Sequence, residues 1–112
     1  ESPLGDDNLA YAAHIYPGHT QSLWDHWFGE TARRYPVLLT EWGFMEDDGE
    51  AAHDYLVGSA ENYGAPLLDL TGERLAGWVA CWFDDAWFPP MFQKGMKTAT
   101  PLGEFVLARL GQ

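Results

Sequence analysis

Apolar and polar positions follow two alternating periods along the chain, and this predicts strands and helices in turn. Residues 8–16 and 75–83 show the two-residue alternation of strands, and residues 37–42 form a short, nearly continuous apolar run. Segments with helical periodicity separate these runs. Such an order is typical of a parallel sheet covered by helices, so we predict an α/β fold.

Two helices are predicted after the first and second strands. One covers residues 22–35, where apolar residues recur at helical spacing and Ser22 and Asp25 have the spacing of a capping box. The other covers residues 48–63 and would end at Gly64, since glycine is common just past a helix C-terminus. Both helices would cover the sheet.

The last third of the chain is predicted to hold a short turn, a loop and a final helix. The turn covers residues 66–71, and a long loop over residues 84–99 is rich in Pro, Trp and charged residues. Thr100 and Pro101 suit the N-cap and first turn of a helix over residues 101–110. Three parallel strands with open edges are not a complete architecture, so the pattern indicates part of a larger structure.

The composition narrows the classes of ligand. With 46% hydrophobic residues, 15% aromatic residues and six Trp in 112 residues, the chain is too apolar to remain disordered. The rings would serve either a core or a groove in which they stack on a flat ligand. A net charge of −11 disfavours nucleic acid and anionic membranes, whereas neutral sugars are compatible with it.

The single cysteine, Cys81, excludes an internal disulfide and a multi-cysteine metal site. It lies in an apolar run, where a buried thiol acting as a small hydrophobe is favoured. No apolar stretch is long enough to cross a bilayer, and no signal peptide opens the chain, which begins at Glu1 without Met. We therefore expect no metal, no other cofactor, and no nucleic-acid or membrane partner.

Glu41 is the most informative polar residue, because it lies near the end of an otherwise apolar strand. A carboxylate there must find partners or face a polar cleft, since burying it unpaired is costly. In a parallel α/β barrel, active sites lie at the carboxyl ends of the strands. Glu41 is therefore either a catalytic carboxylate or a structural member of an ion pair.

Three further residues are predicted to lie at the same rim. His14 and Tyr16 end the first strand on a common face, where the Tyr16 hydroxyl could donate to Glu41 and keep it ionised. His14 could bind a sugar hydroxyl. Trp82 would end the third strand on its inward face and offer a flat platform beside Glu41. Core packing is the alternative role for each of the three residues. Of the two tryptophans on this face of the third strand, core packing suits Trp78 better than Trp82.

The order of these motifs resembles glycoside hydrolase family 5. The blocks HIYPGH (14–19), PVLLTEWGF (36–44) and GWVACWFDDAWFPP (77–90) are similar to the last three strands of that family, and TPLGEFVLARL (100–110) is similar to its final helix. The resemblance covers almost the whole chain. It implies that residues 1–112 are the C-terminal portion of a (β/α)₈ TIM-barrel catalytic domain, comprising strands six to eight with their helices.

The resemblance also implies a site and an activity. The family has His-x-Tyr on strand six, a nucleophilic Glu on strand seven and a Trp closing strand eight, which correspond to His14 and Tyr16, Glu41, and Trp82. The implied activity is a retaining glycosidase that cleaves β-linked bonds in a polysaccharide, as endoglucanases and cellulases do. Glu41 would be the nucleophile, and the other three residues would bind the β-glycan. The full-length protein would be secreted.

Two features of the family are missing from this sequence. Its acid/base Glu follows an Asn on strand four, and no Asn-Glu dipeptide occurs here; the Arg of strand two also lacks a counterpart. Those parts would lie N-terminal to Glu1, so we expect the isolated chain to be inactive. Five loop carboxylates are expected to be solvated surface charges: Glu46, Asp47, Asp48, Asp84 and Asp85.

Three hypotheses for the function remain open. We favour a piece of a longer endo-acting glycanase. A non-catalytic carbohydrate-binding domain would be a β-sandwich with exposed aromatic rings, and the helix signals argue against it. A partial barrel could instead associate with itself to cover its inner face, where we expect Leu39, Trp78 and Trp82. The chain would then be found with the remaining N-terminal part of the barrel, with a second copy of itself, or with both.

Overall fold

A small parallel sheet is the centre of the structure. The computed structural model describes residues 8–111, and its three strands pair in chain order. They are β1 (Tyr11–Ile15), β2 (Val37–Trp42) and β3 (Gly77–Trp78). The bounds of β2 match the prediction, whereas β1 and β3 are shorter than predicted. The α/β class inferred from the alternating periods is confirmed.

The first helical segment combines three helical geometries: a 3₁₀ turn (Gln21–Leu23), a π-helical turn (Asp25–Gly29) and the short helix α1 (Glu30–Ala32). The predicted capping box is wrong, because no side chain caps the start of this segment. Asp25 instead accepts hydrogen bonds from Arg33 at 3.1 and 2.9 Å and forms an ion pair with Arg74. Charge-assisted bonds to two guanidinium groups are stronger than a local cap.

The prediction of one helix over residues 48–63 is wrong, because this region contains two separate helical segments with other bounds. Its first half is a 3₁₀ turn (Ala51–Leu56), after which Val57 is extended and bridges to Met45. A second helical segment then starts with a π-helical turn (Ala60–Gly64) and continues as α2 (Ala65–Arg74). The predicted turn at residues 66–71 is therefore part of α2.

Ser59 and Asn62 set the start of this second helical segment. The Ser59 hydroxyl accepts from the Asn62 N–H at 3.1 Å, and the Ser59 N–H donates to Asn62 Oδ1 at 2.8 Å. This reciprocal capping box satisfies two backbone N–H groups that a helix start leaves free. Asn in place of the usual Glu or Gln explains why the motif is easily missed in the sequence.

Gly64 lies inside the second helical segment rather than at its C-cap, which corrects the sequence-based prediction. A Cβ at this position would lie 2.8 Å from Phe105 Cε1 and 3.1 Å from Phe44 Cε1. Both distances are shorter than ordinary carbon contacts, so glycine is what allows the helix to approach the two rings. The reason for this glycine is therefore tertiary packing.

The chain after α2 stays beside β2 for longer than the two residues of β3 indicate. Val79 N donates to Leu39 O at 2.8 Å, and Cys81 N donates to Trp42 O at 2.9 Å. The predicted loop over residues 84–99 lacks helix and strand apart from one antiparallel bridge between Phe92 and Ala99. It is followed by α3.

The final helix forms with the predicted bounds. α3 covers Pro101–Leu110, and its N-cap is Thr100, whose hydroxyl accepts from Gly103 N at 3.2 Å. Leu102 and Val106 of this helix join the hydrophobic core. The local signals were sufficient here because the cap and the first-turn proline act within four residues.

The two faces of the sheet differ in burial. Leu39 and Trp42 are fully buried against the helices, and Trp78 packs edge-on against Trp42 with ring centroids 5.5 Å apart. The prediction that Leu39 and Trp78 lie on the inner face is therefore wrong. The open face instead exposes Leu38 and Val79, at 37% and 55%. Trp78 pairs with Leu39, and paired residues of neighbouring strands point to the same side.

Substituting alanine at two glycines of one helical segment separates packing from helix propensity. We expect Gly64→Ala to lower the free energy of unfolding by about 1–3 kcal/mol, because its methyl group collides with Phe105 and Phe44. Gly72→Ala is the matched control. Nothing lies within 4 Å of its Cβ position, so the gain in propensity should raise stability by about 0.5–1 kcal/mol. Urea denaturation of the full-length protein measures both effects, and equal gains at the two positions would contradict the packing assignment.

Candidate active site

A bulge in β2 turns Glu41 onto the open face of the sheet. Ala13 pairs with Leu39, but the next residue of β1, His14, pairs with Glu41, so Thr40 is an extra residue in β2. Strict alternation would put Glu41 on the same buried side as Leu39. The bulge shifts this alternation by one. Glu41 therefore faces the open side, while Trp42 remains in the core.

Tyr16 follows β1 and is held by a tight turn. His19 N donates to Tyr16 O at 2.9 Å, and Tyr16 N donates to His19 Nδ1 at 2.9 Å, so the turn is closed in both directions. The Tyr16 ring packs edge-on against Tyr55, with centroids 5.8 Å apart. Its hydroxyl donates to Glu41 Oε2 at 3.2 Å.

His14 completes a cluster of three polar side chains at the carboxyl ends of β1 and β2. Its Nδ1 lies 3.2 Å from Glu41 Oε2, the same oxygen that Tyr16 contacts. Within the described residues, no hydrogen bond reaches Glu41 Oε1. The carboxylate is thus held through one oxygen and open at the other. The structure brings His14, Tyr16 and Glu41 together, and their functional roles stay predictions.

The electrostatics of the cluster keep Tyr16 a hydrogen-bond donor. Burial, followed by the negative charge of Glu41, raises the pKa of the Tyr16 phenol well above its ordinary value. The hydroxyl therefore keeps its proton at any physiological pH. Because the raised pKa belongs to the folded state, this contribution to stability is complete below about pH 10 and is lost as the pH rises further.

Trp82 makes contacts other than those of the Glu41 cluster. Its ring is tilted against that of Trp87, with centroids 6.1 Å apart, and the backbone N–H of Trp82 donates to Pro89 O at 2.9 Å. Within residues 8–111, no hydrogen bond or ring contact joins Trp82 to Glu41. Trp82 is connected to the strand of Glu41 through the preceding residue, Cys81. The backbone N–H of Cys81 donates to the carbonyl of Trp42 in β2.

Cys81 is buried, as predicted for a small hydrophobe. Its thiol donates to Thr40 O at 3.9 Å, beside the bulge that positions Glu41. Burial and then the charge of Glu41 raise the pKa of the Cys81 thiol, so it stays protonated.

Tyr55 is the residue near the site that the sequence did not reveal. Gly18 N donates to Tyr55 O at 2.8 Å, and a Cβ on Gly18 would lie 2.9 Å from Tyr55 Cβ. Glycine in the turn after Tyr16 therefore lets the loop after β2 dock closely. The Pro-Gly pair was read only as the end of a strand, although it also marks this close approach.

The aspartates of the two loops accept hydrogen bonds from backbone N–H groups of their own loop. Asp47 and Asp48 accept from Gly49 N at 2.8 Å and Glu50 N at 3.0 Å. Asp84 and Asp85 accept from Ala86 N at 2.5 Å and Gly95 N at 2.6 Å. Such carboxylates order their loops, as Asx turns do. In the described part of the chain, no group of three His, Cys, Asp or Glu side chains is placed to hold a metal ion.

A groove of about 990 Å³ lies along the edge of β1 opposite to β2, and His14 of the Glu41 cluster is among the residues that line it. All five residues of β1 line it, and Trp27 and Tyr35 form part of its other wall. Within the described residues β1 is an edge strand of the sheet, and a groove beside an edge strand is a place where a further strand can pair. As for membranes, none of the helices between residues 8 and 111 is long and apolar enough to span a bilayer.

Comparison with solved structures gives the class of protein to which this geometry corresponds. A β-glucanase of Saccharophagus degradans, SdGluc5_26A, matches with a TM-score of 0.85, both in complex with cellotetraose and in its native form. Sequence identity is 26% and 27%, and the match covers 100% of this chain and 37% of each glucanase chain. The fold is thus that of a segment of a TIM-barrel glucanase.

Comparison with curated proteins points to the same family. Endoglucanase E-5 of Thermobifida fusca is 30% identical over 95 residues, which are 84% of this chain and 19% of that protein. No family model matches the sequence. The chain spans about a fifth of this relative and less than two fifths of the solved glucanases. The resemblance to glycoside hydrolase family 5 seen in the motifs is confirmed.

The contact between Tyr16 and Glu41 can be tested by titration. Glu41→Gln removes the charge that opposes tyrosinate, so the pKa of Tyr16 should fall towards its ordinary value while staying raised by burial. NMR of ring-labelled tyrosine measures it, with Tyr16→Phe assigning the resonance. Glu46→Gln, on the exposed loop, is the control and should change nothing. An unchanged Tyr16 titration in Glu41→Gln would contradict the contact.

Proposed function

We propose that this chain is the part of a retaining β-glucan hydrolase that carries the nucleophile, Glu41. The arrangement of the Glu41 carboxylate supports this most strongly. One oxygen is held by Tyr16 and His14 at 3.2 Å each, and the other is open on the exposed face of a parallel sheet. A nucleophile needs both a fixed orientation and one free oxygen. Similarity to glucanases supplies the substrate class.

The mechanism follows from this geometry. Glu41 Oε1 would attack the anomeric carbon as the glycosidic C–O bond breaks, which forms a covalent glycosyl-enzyme. A second carboxyl group, about 5–5.5 Å from the first in retaining enzymes, would protonate the leaving oxygen. The same group would then take a proton from water as that water releases the sugar with net retention. Tyr16 would hold Oε2 throughout, because its raised pKa keeps it protonated.

The second carboxyl group is proposed to lie outside this chain. The aspartates of the two nearest loops are engaged by backbone N–H groups. The chain also spans only 37% of the solved glucanases. Residues 1–112 would thus be strands six to eight of a (β/α)₈ catalytic domain, and the other strands would supply the acid/base. The groove along β1 would receive the preceding strand. We propose that the complete enzyme is secreted.

The substrate is proposed to be a polymer of β-linked glucose. A related β-glucanase has been solved with cellotetraose, and the net charge of −11 suits an uncharged polymer. His14, 56% exposed beside Glu41, would donate to a sugar hydroxyl. Trp82 would stack on the sugar bound at Glu41.

A second candidate is a partial barrel that associates with itself. Leu38 and Val79 are exposed on the open face, and β1 and β3 are the edges of the described sheet. A second copy could cover both features. The carbohydrate-binding β-sandwich that we considered does not fit three parallel strands with helices.

Removing the Glu41 carboxylate tests the nucleophile in the full-length enzyme. Glu41→Ala should lower kcat by roughly four orders of magnitude or more, because the covalent intermediate cannot form. Added azide should restore turnover and yield a glycosyl azide of inverted configuration, which NMR identifies. Glu46→Ala, on the neighbouring loop, is the matched control and should keep full activity. Near wild-type hydrolysis by Glu41→Ala would refute the assignment.

The isolated chain is expected to be inactive and not to persist as a compact monomer. It lacks an acid/base and exposes apolar side chains on its open face. Light scattering and a soluble β-glucan assay test this, and a Leu38→Asn/Val79→Thr variant should associate less than the parent chain. A cooperatively melting monomer that hydrolyses the glucan would overturn the proposal. A stable, inactive dimer would favour the self-associating alternative.

A further inference from the structure

The hydrogen bond from Tyr16 to Glu41 is longer than bonds of its kind usually are. The Tyr16 hydroxyl lies 3.2 Å from Glu41 Oε2, whereas a hydroxyl that donates to a carboxylate commonly lies at about 2.5–2.7 Å. An outward shift of the ring by about 0.4 Å would end the hydrogen bond, because a separation of roughly 3.6 Å no longer counts as one. The position of the Tyr16 ring therefore decides whether Glu41 Oε2 is held.

The Tyr16 ring lies outside the main hydrophobic core. Among the described residues, the buried core cluster includes Ile15, the last residue of β1, but not Tyr16. Tyr16 is nevertheless buried, at 9% exposure. The Tyr55 ring packs against it edge-on, with an angle of 86° between the ring planes. Edge-on aromatic pairs have a preferred geometry and attract each other beyond the apolar area that they bury, so Tyr55 supports the Tyr16 ring.

Tyr55 is half exposed, yet its backbone is fixed on two sides. The residue is 52% exposed, and its carbonyl accepts from Gly18 N at 2.8 Å. The next residue, Leu56, is fully buried, and its carbonyl accepts from Met45 N at 3.0 Å. A ring on a fixed backbone has little conformational freedom left to lose, so it can hold a neighbouring ring in place.

The turn that carries Tyr55 is also joined to the loop after β3. His53, two residues earlier in the same 3₁₀ turn, stacks on Phe88 with an angle of 29° between the ring planes. His53 Nδ1 lies 2.8 Å from Asp48 Oδ2, which fixes the imidazole ring. The turn is thus held by contacts to the loop after β1 and to the loop after β3, and Tyr55 lies between these contacts.

We propose that Tyr55 is a positioning residue of the glycosidase, which holds the Tyr16 hydroxyl against Glu41 Oε2 and so acts through Tyr16. This inference rests on the proposed function and adds to it a residue that does not touch the reacting atoms. Without the Tyr55 ring, Tyr16 would be free to turn away, and His14 alone would hold Oε2. The carboxylate would then be oriented less well for attack on the anomeric carbon. The Tyr55 hydroxyl is not needed for this role.

The rate at which the nucleophile is labelled tests the inference in the full-length protein. A 2-deoxy-2-fluoro-cellobioside with a good leaving group needs no acid/base and leaves a stable glycosyl-enzyme, so its labelling rate measures attack by Glu41. Tyr55→Ala should lower the maximal labelling rate about tenfold without raising the half-maximal concentration. Tyr55→Phe should keep the wild-type rate, because the ring remains.

Two further variants separate positioning from packing. Tyr35→Ala is the matched control, because Tyr35 packs edge-on against Tyr11 at the opposite end of β1, and it should leave the labelling rate unchanged. Tyr55→Leu keeps apolar bulk without an aromatic ring. It should lower the labelling rate as Tyr55→Ala does, and it takes the place of the alanine variant if that protein does not fold.

Removing the Tyr16 hydroxyl shows whether Tyr55 acts through it. In a Tyr16→Phe background, Tyr55→Ala should lower the labelling rate by about twofold or less, because no hydroxyl is left to position. A full tenfold loss in that background, or a wild-type rate for Tyr55→Ala alone, would overturn the inference. An unchanged maximal rate with a raised half-maximal concentration would also overturn it, since Tyr55 would then bind the sugar directly.

The site of labelling separates this inference from the proposed function. Mass spectrometry of the labelled protein should find the sugar on Glu41. Labelling of Glu41 at the same rate with and without the Tyr55 ring would refute the positioning role and leave the nucleophile intact. A label on another residue, or no label at all, would refute the proposed function and the positioning role with it.

Discussion

The pairing of β1 with β2 around Thr40 is the constraint on which the rest of the site depends. Glu41 and Trp42 are consecutive, yet the first must reach a polar surface and the second is fully buried. One extra residue in β2 sets Glu41 opposite His14 and keeps Trp42 opposite Ile15 in the core. Burying the carboxylate unpaired would cost several kcal/mol, so the bulge makes an apolar strand compatible with a reactive side chain.

The open face of the sheet carries the Glu41 cluster and also apolar side chains that nothing covers within the described residues. It holds the carboxylate of Glu41 between Tyr16 and His14, and it also leaves Leu38 and Val79 exposed. In a closed barrel such apolar residues fill the interior, and the polar residues at the strand ends face the substrate. A chain that spans 37% of related glucanases would need the other strands for both purposes.

The loops after β2 and β3 depend on each other. Phe88 stacks on His53, and this ring stack joins the two loops. Within the first loop, His53 Nδ1 lies 2.8 Å from Asp48 Oδ2, and this contact fixes the His53 ring. Tyr55, on the first loop, packs against Tyr16 beneath it. Loops joined in this way keep their aromatic rings and carboxylates in fixed positions, which lowers the entropy cost of binding a ligand. Specificity in a barrel enzyme is set by loops of this kind.

Local chemistry determined the parts of this protein that the sequence predicts well. The bounds of β2 and the Thr100 cap of α3 follow from periods and caps that act within a few residues. The common rim of His14, Tyr16 and Glu41 was predicted from their positions at the ends of parallel strands, but alternation alone would bury Glu41, and the bulge at Thr40 is what turns it to that face.

Tertiary structure decided whatever depends on partners distant in the chain. Asp25 does not form the predicted cap because its carboxylate pairs with Arg74. The two residues are 49 positions apart, so no local motif in the sequence reveals this pair. Gly64 was mistaken for a C-cap because the rings that require it belong to other segments. Leu39 and Trp78 were assigned to the wrong face because the side of a buried strand that faces the helices is set by packing, and a continuous apolar run carries no alternation to reveal it.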